Sequence, residues 1–137
     1  MSQTVTPTTP ATSSQGLDYE AAVNRYFAAW NAPDPAERER AVAAAWSQGG
    51  SYTDPLCDVS GHAQIAAVIA GAREQFAGYT FQGTGLVDGH HHIVRFAWEL
   101  VSEADGSAPV AGFDVMTLDE DGRARAVLGF LDRAPAV

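Results

Sequence analysis

The hydrophobic pattern of this chain changes period once, at Gly78, and that change constrains the fold more than any other feature of the sequence. Before it, apolar residues recur at helical spacing. Tyr19, Ala22, Val23, Tyr26, Phe27 and Trp30 form one broad stripe, Val42, Ala45 and Trp46 a second, and Ile65, Val68, Ile69, Ala72 and Phe76 a third. After it the period is two, in segments near Tyr79 to Val87, His91 to Glu103, Val110 to Leu118 and Arg123 to Asp132. Helices first and strands afterwards predict an α+β fold. Three helices pack on one face of a curved, four- to five-stranded, mostly antiparallel sheet, and the cone so formed encloses a pocket.

Local punctuation agrees with this division. Pro33 breaks the first helix after Asn31, and Asp34-Pro35-Ala36-Glu37 supplies an N-cap, a proline at the first helical position and a capping-box acid. Gln48-Gly49-Gly50 reads as a turn leading into a short strand over Ser51 to Asp54. Ser60-Gly61 opens the third helix, and Asp105-Gly106 and Asp121-Gly122 mark hairpins. Residues 1–16, mostly Thr, Pro, Ser, Gln and Ala, read as a flexible tail. Residues 17–133 then make one domain and residues 134–137 a C-terminal tail.

Charge and composition narrow the partners. Seventeen acidic against eight basic residues give a net charge of −9, a field that repels phosphate backbones and anionic lipid, so neither nucleic acid nor membrane is an expected partner. The chain lacks a signal-like leader and any apolar run long enough to span a bilayer, so the expected location is cytoplasmic. Cys57, the single cysteine, has no internal disulfide partner. With no P-loop, dinucleotide glycine fingerprint or zinc-type spacing, no cofactor is expected. His90-His91-His92 invites a metal reading, but on a strand only His90 and His92 share a face and no carboxylate or cysteine stands at ligand spacing. No metal is expected, and His92 is placed facing inward.

The stretch that carries chemistry is Tyr52-Thr53-Asp54-Pro55. Pro55 cannot donate to a sheet ladder and biases Asp54 toward extended backbone, which puts this carboxylate at a strand end. Taken alone, Asp-Pro reads first as a turn starter. Tyr26 is in the same way either a core aromatic or a functional hydroxyl, and Asp114 either an exposed strand residue or a buried acid.

The element order resembles the nuclear-transport-factor-like superfamily, which includes SnoaL-like polyketide cyclases, scytalone dehydratases, limonene epoxide hydrolases and ketosteroid isomerases. The resemblance covers about Leu17 to Arg133, and its closest local motifs are to the ketosteroid isomerases. Val23 to Asn31 resembles the segment bearing their oxyanion-hole tyrosine, Thr53-Asp54-Pro55 the Glu-Asp-Pro bearing their base, and Gly112-Phe113-Asp114-Val115 the strand bearing their second oxyanion-hole acid. This implies a base at Asp54, with Tyr26 and Asp114 as oxyanion donors. Strand parity adds that Gly112, Asp114, Met116 and Leu118 share a face, as do His92, Val94, Phe96 and Trp98 on the neighbouring strand. A carboxyl in such apolar company has its pKa raised and can serve as a neutral donor.

Two departures from the isomerases stand out. Ile69 occupies the place of a supporting tyrosine, for which Tyr52, His62 or His92 are the candidate substitutes, and His92 with Trp98 implies a pocket of different size and polarity. The expected pocket residues are Trp30, Tyr52, His62, Ile69, His92, Phe96, Trp98 and Met116, around a small hydrophobic or carbonyl-containing ligand. The expected function is a cofactor-independent isomerase, cyclase or dehydratase. The alternative is a non-catalytic binding or dimerisation module of the same fold. An epoxide hydrolase would need Arg95 in the pocket, whereas parity puts Arg95 and Glu99 on the outer face. There Ile93, Ala97, Val101, Phe113 and Val115 offer an apolar surface for a homodimer.

Overall fold

The computed structural model describes residues 16–135, so all of the expected N-terminal tail except Gly16 lies outside the described residues. Three helices, α1 (Tyr19–Asn31), α2 (Pro35–Ala45) and α3 (His62–Gln75), pack on one six-stranded sheet. The strands are β1 (Trp46–Asp54), β2 (Cys57–Ser60), β3 (Tyr79–His90), β4 (Ile93–Ser102), β5 (Val110–Leu118) and β6 (Ala124–Arg133), in the spatial order β2-β1-β6-β5-β4-β3. All neighbours are antiparallel except β1 and β6, which run parallel.

Helix α2 starts where its expected cap places it, and α1 uses a cap of the same kind. Asp18 accepts from the Ala21 amide at 3.0 Å and Asp34 from the Glu37 amide at 2.8 Å, so both use a carboxylate N-cap. The buried face of α1 is Tyr19, Ala22, Val23, Tyr26, Ala29 and Trp30, and it lies against β3. No basic residue occupies the last turn of α1. Arg38 of α2 fills that role instead, donating to the Ala32 carbonyl at 3.3 Å while 8% exposed.

Three expectations about the sheet need correction. Gln48-Gly49-Gly50 is not a turn before a short strand, because β1 begins at Trp46 and passes through these residues as a bulge, with Gly49 at φ +79°. A Cβ at Gly50 would sit 2.9 Å from the Ser47 carbonyl oxygen, so only glycine fits the bend. Second, the sheet has six strands, because Cys57–Ser60 folds back on β1 after the Pro55-Leu56 turn. Third, His92 is not an inward strand residue. The β3–β4 pairing ends at His90 with Ile93, leaving His91 and His92 as an exposed two-residue turn with His91 at φ +49°.

Inward residues of β4 and β5 alternate as expected: Val94, Phe96, Trp98 and Leu100 on β4, and Asp114, Met116 and Leu118 on β5 are buried. The opposite face carries Arg95, 69% exposed and paired with Asp88 at 3.1 Å, and Glu99 paired with Arg133 at 3.2 Å. It also carries Ile93, Phe113, Leu128 and Phe130, with the Phe113 and Phe130 rings stacked at 5.0 Å. No helix among the described residues is long and apolar enough to cross a membrane.

Candidate active site

A cavity of about 660 Å³ lies between the helices and the inner face of the sheet. That volume is in the range of pockets that enclose drug-sized organic molecules. Its wall is largely apolar, from Trp30, Val68, Phe76, Phe81, Leu100 and Leu131 among others. The polar side chains on it are Tyr26, Tyr52, Asp54, Cys57, Gln75, Asp114 and the two indoles, with no lysine, arginine or histidine among the described lining residues.

Asp54 ends β1 on the same face as Tyr52, two residues earlier. Its Oδ1 accepts from the Leu56 amide at 2.8 Å and the Cys57 amide at 3.1 Å, and the Cys57 Sγ is 3.6 Å away. Its Oδ2 accepts from the Tyr52 hydroxyl at 2.6 Å. The turn therefore holds one oxygen of this residue, while the residue also lines the cavity. Oδ1 is occupied by the turn, so Oδ2 is the atom with a lone pair left for the cavity. Burial pushes the Cys57 thiol up to about 11, with Asp54 adding to it, and burial likewise holds Tyr52 far above the ordinary phenol range. Both groups stay protonated, as donors to Asp54.

Asp114, in the middle of β5, is 1% exposed. Its Oδ2 accepts from the Tyr26 hydroxyl of α1 and its Oδ1 from Trp98 Nε1 of β4 at 3.1 Å. Burial lifts this carboxyl from 3.8 to about 6 against the pull of those two donors, and the nearby charge of Asp54 adds a smaller push. Tyr26 is raised well above the phenol range by burial first and by Asp114 second. The Trp30 indole N–H lies close enough to favour ionised Tyr26, yet it is buried without a well-formed hydrogen bond.

The two carboxyls do not face each other across the cavity. They sit on one wall, on β1 and β5, with β6 between them. Gly129 of β6 is the gap over which they meet: a Cβ there would lie 2.9 Å from Asp114 Oδ1 and 3.5 Å from Asp54 Cβ. The pattern of β6 alone marks Gly129 only as a place of close approach, without saying to what.

Of the residues expected around the pocket, Trp30, Tyr52 and Trp98 line it. His62, Ile69, His92, Phe96 and Met116 do not. The His62 ring bonds the Trp46 and Ser47 carbonyls at 2.9 and 3.1 Å, which ties the helix start to the β1 bulge and leaves Asp54 without it. Ile69 and Met116 are core, at 0% and 1% exposure, and Phe96 packs behind Tyr26 with ring centroids 5.2 Å apart. Val68 and Ala72 of α3 and Phe76 at its C-cap, read from sequence only as an apolar stripe, line the cavity together with Gly71 and Gln75. Ala134 and Pro135, expected to belong to a tail, also reach the pocket. Among the described residues no three His, Cys, Asp or Glu side chains gather as a metal site.

Residues 23–127 match the family described as the SnoaL-like domain. No curated protein sequence matches the chain significantly. Among solved structures, a provisionally assigned isomerase of the SnoaL-like family from Agrobacterium tumefaciens is 41% identical, covering 83% of this chain and 97% of its own, with a TM-score of 0.78. A provisionally assigned SnoaL-like polyketide cyclase from Jannaschia matches at 20% identity, 96% and 92% coverage and a TM-score of 0.69. An NTF2-like protein of unknown function from Cytophaga hutchinsonii matches at 10% identity, 85% and 91% coverage and a TM-score of 0.59. The last two show the fold.

Proposed function

This chain belongs to the SnoaL-like domain family, and from that premise we propose that its pocket transfers a proton at a carbon next to a carbonyl, with Asp54 as the base. The observation that carries the proposal is the pair of carboxyls beside Gly129 in one apolar cavity, held in two different environments. Every contact of Asp54 is one in which it accepts, the role of a carboxylate, whereas Asp114 is buried and pushed to about 6. Unequal environments for neighbouring carboxyls divide base from acid.

In this reading a ketone enters with its apolar body against Trp30, Phe76, Phe81 and Leu131. Its carbonyl oxygen takes the Tyr26 hydrogen, and Asp54 Oδ2 removes the α-proton. The C–H electron pair moves into the enolate, whose oxygen is stabilised by the Tyr26–Asp114 pair in a wall with little water. The proton held on Asp54 then returns to another carbon, giving a shifted double bond. The same enolate closes a ring onto a second carbonyl, the Asp54 proton going to the new alkoxide, or expels a β-hydroxyl, which leaves as water with the Asp54 proton. The isomerase and polyketide-cyclase assignments of the structurally similar proteins support this reaction class. The outward, ion-paired Arg95 argues against the epoxide-hydrolase arrangement.

The test is Asp54→Asn against a panel of enolisable ketones sized to the cavity. Turnover falls by about 10²-fold or more if Asp54 is the base. Undiminished turnover in Asp54→Asn refutes the assignment. A non-catalytic binding module would bind the same ketones in both proteins and turn over none.

A further inference from the structure

We infer that Trp98 is a positioning residue: by occupying Oδ1 of Asp114, its indole N–H directs the proton of the neutral carboxyl to Oδ2, so that Asp114 donates to Tyr26 and the Tyr26 hydrogen is turned toward the substrate oxygen. This rests on the proton-transfer reading above and names a residue that acts within it.

The geometry is one of counting hydrogens. An indole N–H only donates, so whatever Asp114 presents to Trp98 must accept. In a neutral carboxyl the carbonyl oxygen accepts far better than the hydroxyl oxygen, so Trp98 selects Oδ1 as the carbonyl. The proton is left to Oδ2, whose partner is the Tyr26 oxygen. Between Oδ2 and Tyr26 only one hydrogen can lie. When Asp114 is ionised that hydrogen belongs to Tyr26, and the phenol points away from the cavity. When Asp114 is neutral the carboxyl supplies it, and the Tyr26 hydrogen needs another acceptor. Of the other polar groups near that oxygen, Trp30 offers only a donor, and the Tyr52 hydroxyl is turned to Asp54, to which it donates. The remaining direction is the cavity that Tyr26 lines.

The elements around Asp114 favour its neutral form. The titratable groups facing it are Tyr26 from α1, Tyr52 and Asp54 from β1, and Cys57 beside Asp54 from β2, none of them a cation; β6 presents Gly129, and β4 presents Trp98. The indole reaches Asp114 by lying over Gly112, its cross-strand partner, where a Cβ would come within 2.8 Å of the Trp98 ring. That close fit fixes the ring and with it the direction of the N–H.

The experiment has a titration arm and a kinetic arm. In wild-type protein the Trp98 indole ¹⁵N–¹H resonance, assigned with Trp30→Phe and Trp46→Phe, is followed through pH 4 to 8. It should move with a midpoint near 6, the value set for Asp114. An indole that does not respond across that range overturns the inference, whether or not any ketone turns over. In Trp98→Phe the Asp114 carboxyl, read by its ¹³C shift, should titrate about 1 unit higher, the worth of one donor to a carboxylate. An unmoved midpoint also overturns it. In the kinetic arm, read at pH 5 where Asp114 is neutral in both proteins, Trp98→Phe should lower kcat about 10-fold with little change in KM, and should have no further effect in a Tyr26→Phe background. Additive losses would show that Trp98 acts on the fold and not through Tyr26. Loss of turnover in wild type with an intact indole titration would count against the proton-transfer reading alone.

Discussion

Burial makes the folded chain hold the Asp114 proton to higher pH than the unfolded chain does, and this has a measurable cost. The unfolded chain releases that proton near 3.8 and the folded chain near 6, so between these values the native state binds more protons and stability falls as pH rises. The loss is complete above about pH 6 and amounts to about 3 kcal/mol. Asp114→Asn keeps an acceptor for Trp98 and an N–H for Tyr26 but does not titrate. Urea unfolding of the two proteins at pH 4 and pH 7 should therefore show Asp114→Asn gaining on wild type at pH 7. Equal differences at both pH values would contradict a raised carboxyl. At this scale the sequence was partly legible. Tyr26, Asp54 and Asp114 could each be singled out, because residue type, strand parity and family likeness coincide at them. Their partners could not, since Trp98 reaching across Gly112 and Tyr52 bonding two residues along its own strand depend on side-chain direction that periodicity does not encode.

Among the elements, β6 decides whether the site exists. It runs parallel to β1 and antiparallel to β5, and so brings the Asp54 end of one strand beside the centre of the other. Gly129 leaves room for both carboxyls. In Gly129→Ala the added Cβ meets Asp114 Oδ1 at 2.9 Å, and that oxygen is held by Trp98 and cannot swing freely. We expect a stability loss of about 1–3 kcal/mol and a fall in kcat larger than that loss explains; thermal unfolding and steady-state kinetics measure the two. Unchanged kcat would show that the carboxyls are not closely coupled. The helices were legible to within a few residues, because a 3.6 period marks all three and a cap also marks α2. The errors lay where backbone departs from a period: the Gly49-Gly50 bulge in β1, the four-residue β2, and the histidine turn that removed His92 from the pocket. The bulge is fixed by pairing with the distant strand β6, whereas β2 and the histidine turn belong to tight hairpins whose two-residue turns, Pro55-Leu56 and His91-His92, lack the Asn-Gly or Asp-Gly signal.

The whole molecule presents two apolar surfaces, one lining the cavity and one on the outer sheet around Ile93, Phe113 and Leu128, with Phe130 at both. Exposed rings of this kind on a sheet face suit a self-complementary interface, and we expect a homodimer formed through it. Light scattering after size exclusion should give twice the 14.5 kDa chain mass, and Leu128→Glu, on the outer face and outside the cavity lining, should reduce it to one. A wild-type monomer at micromolar concentration would contradict this. The cavity carries the central claim, which is that Asp54 moves a proton to and from carbon. The most direct measurement is solvent-deuterium uptake at the α-carbon of a bound ketone, followed by NMR. Asp54 reaches the substrate from one side, so wild type should exchange one of the two prochiral hydrogens and Asp54→Asn neither. A ketone that binds wild type and exchanges no hydrogen, or exchanges equally in Asp54→Asn, would contradict it.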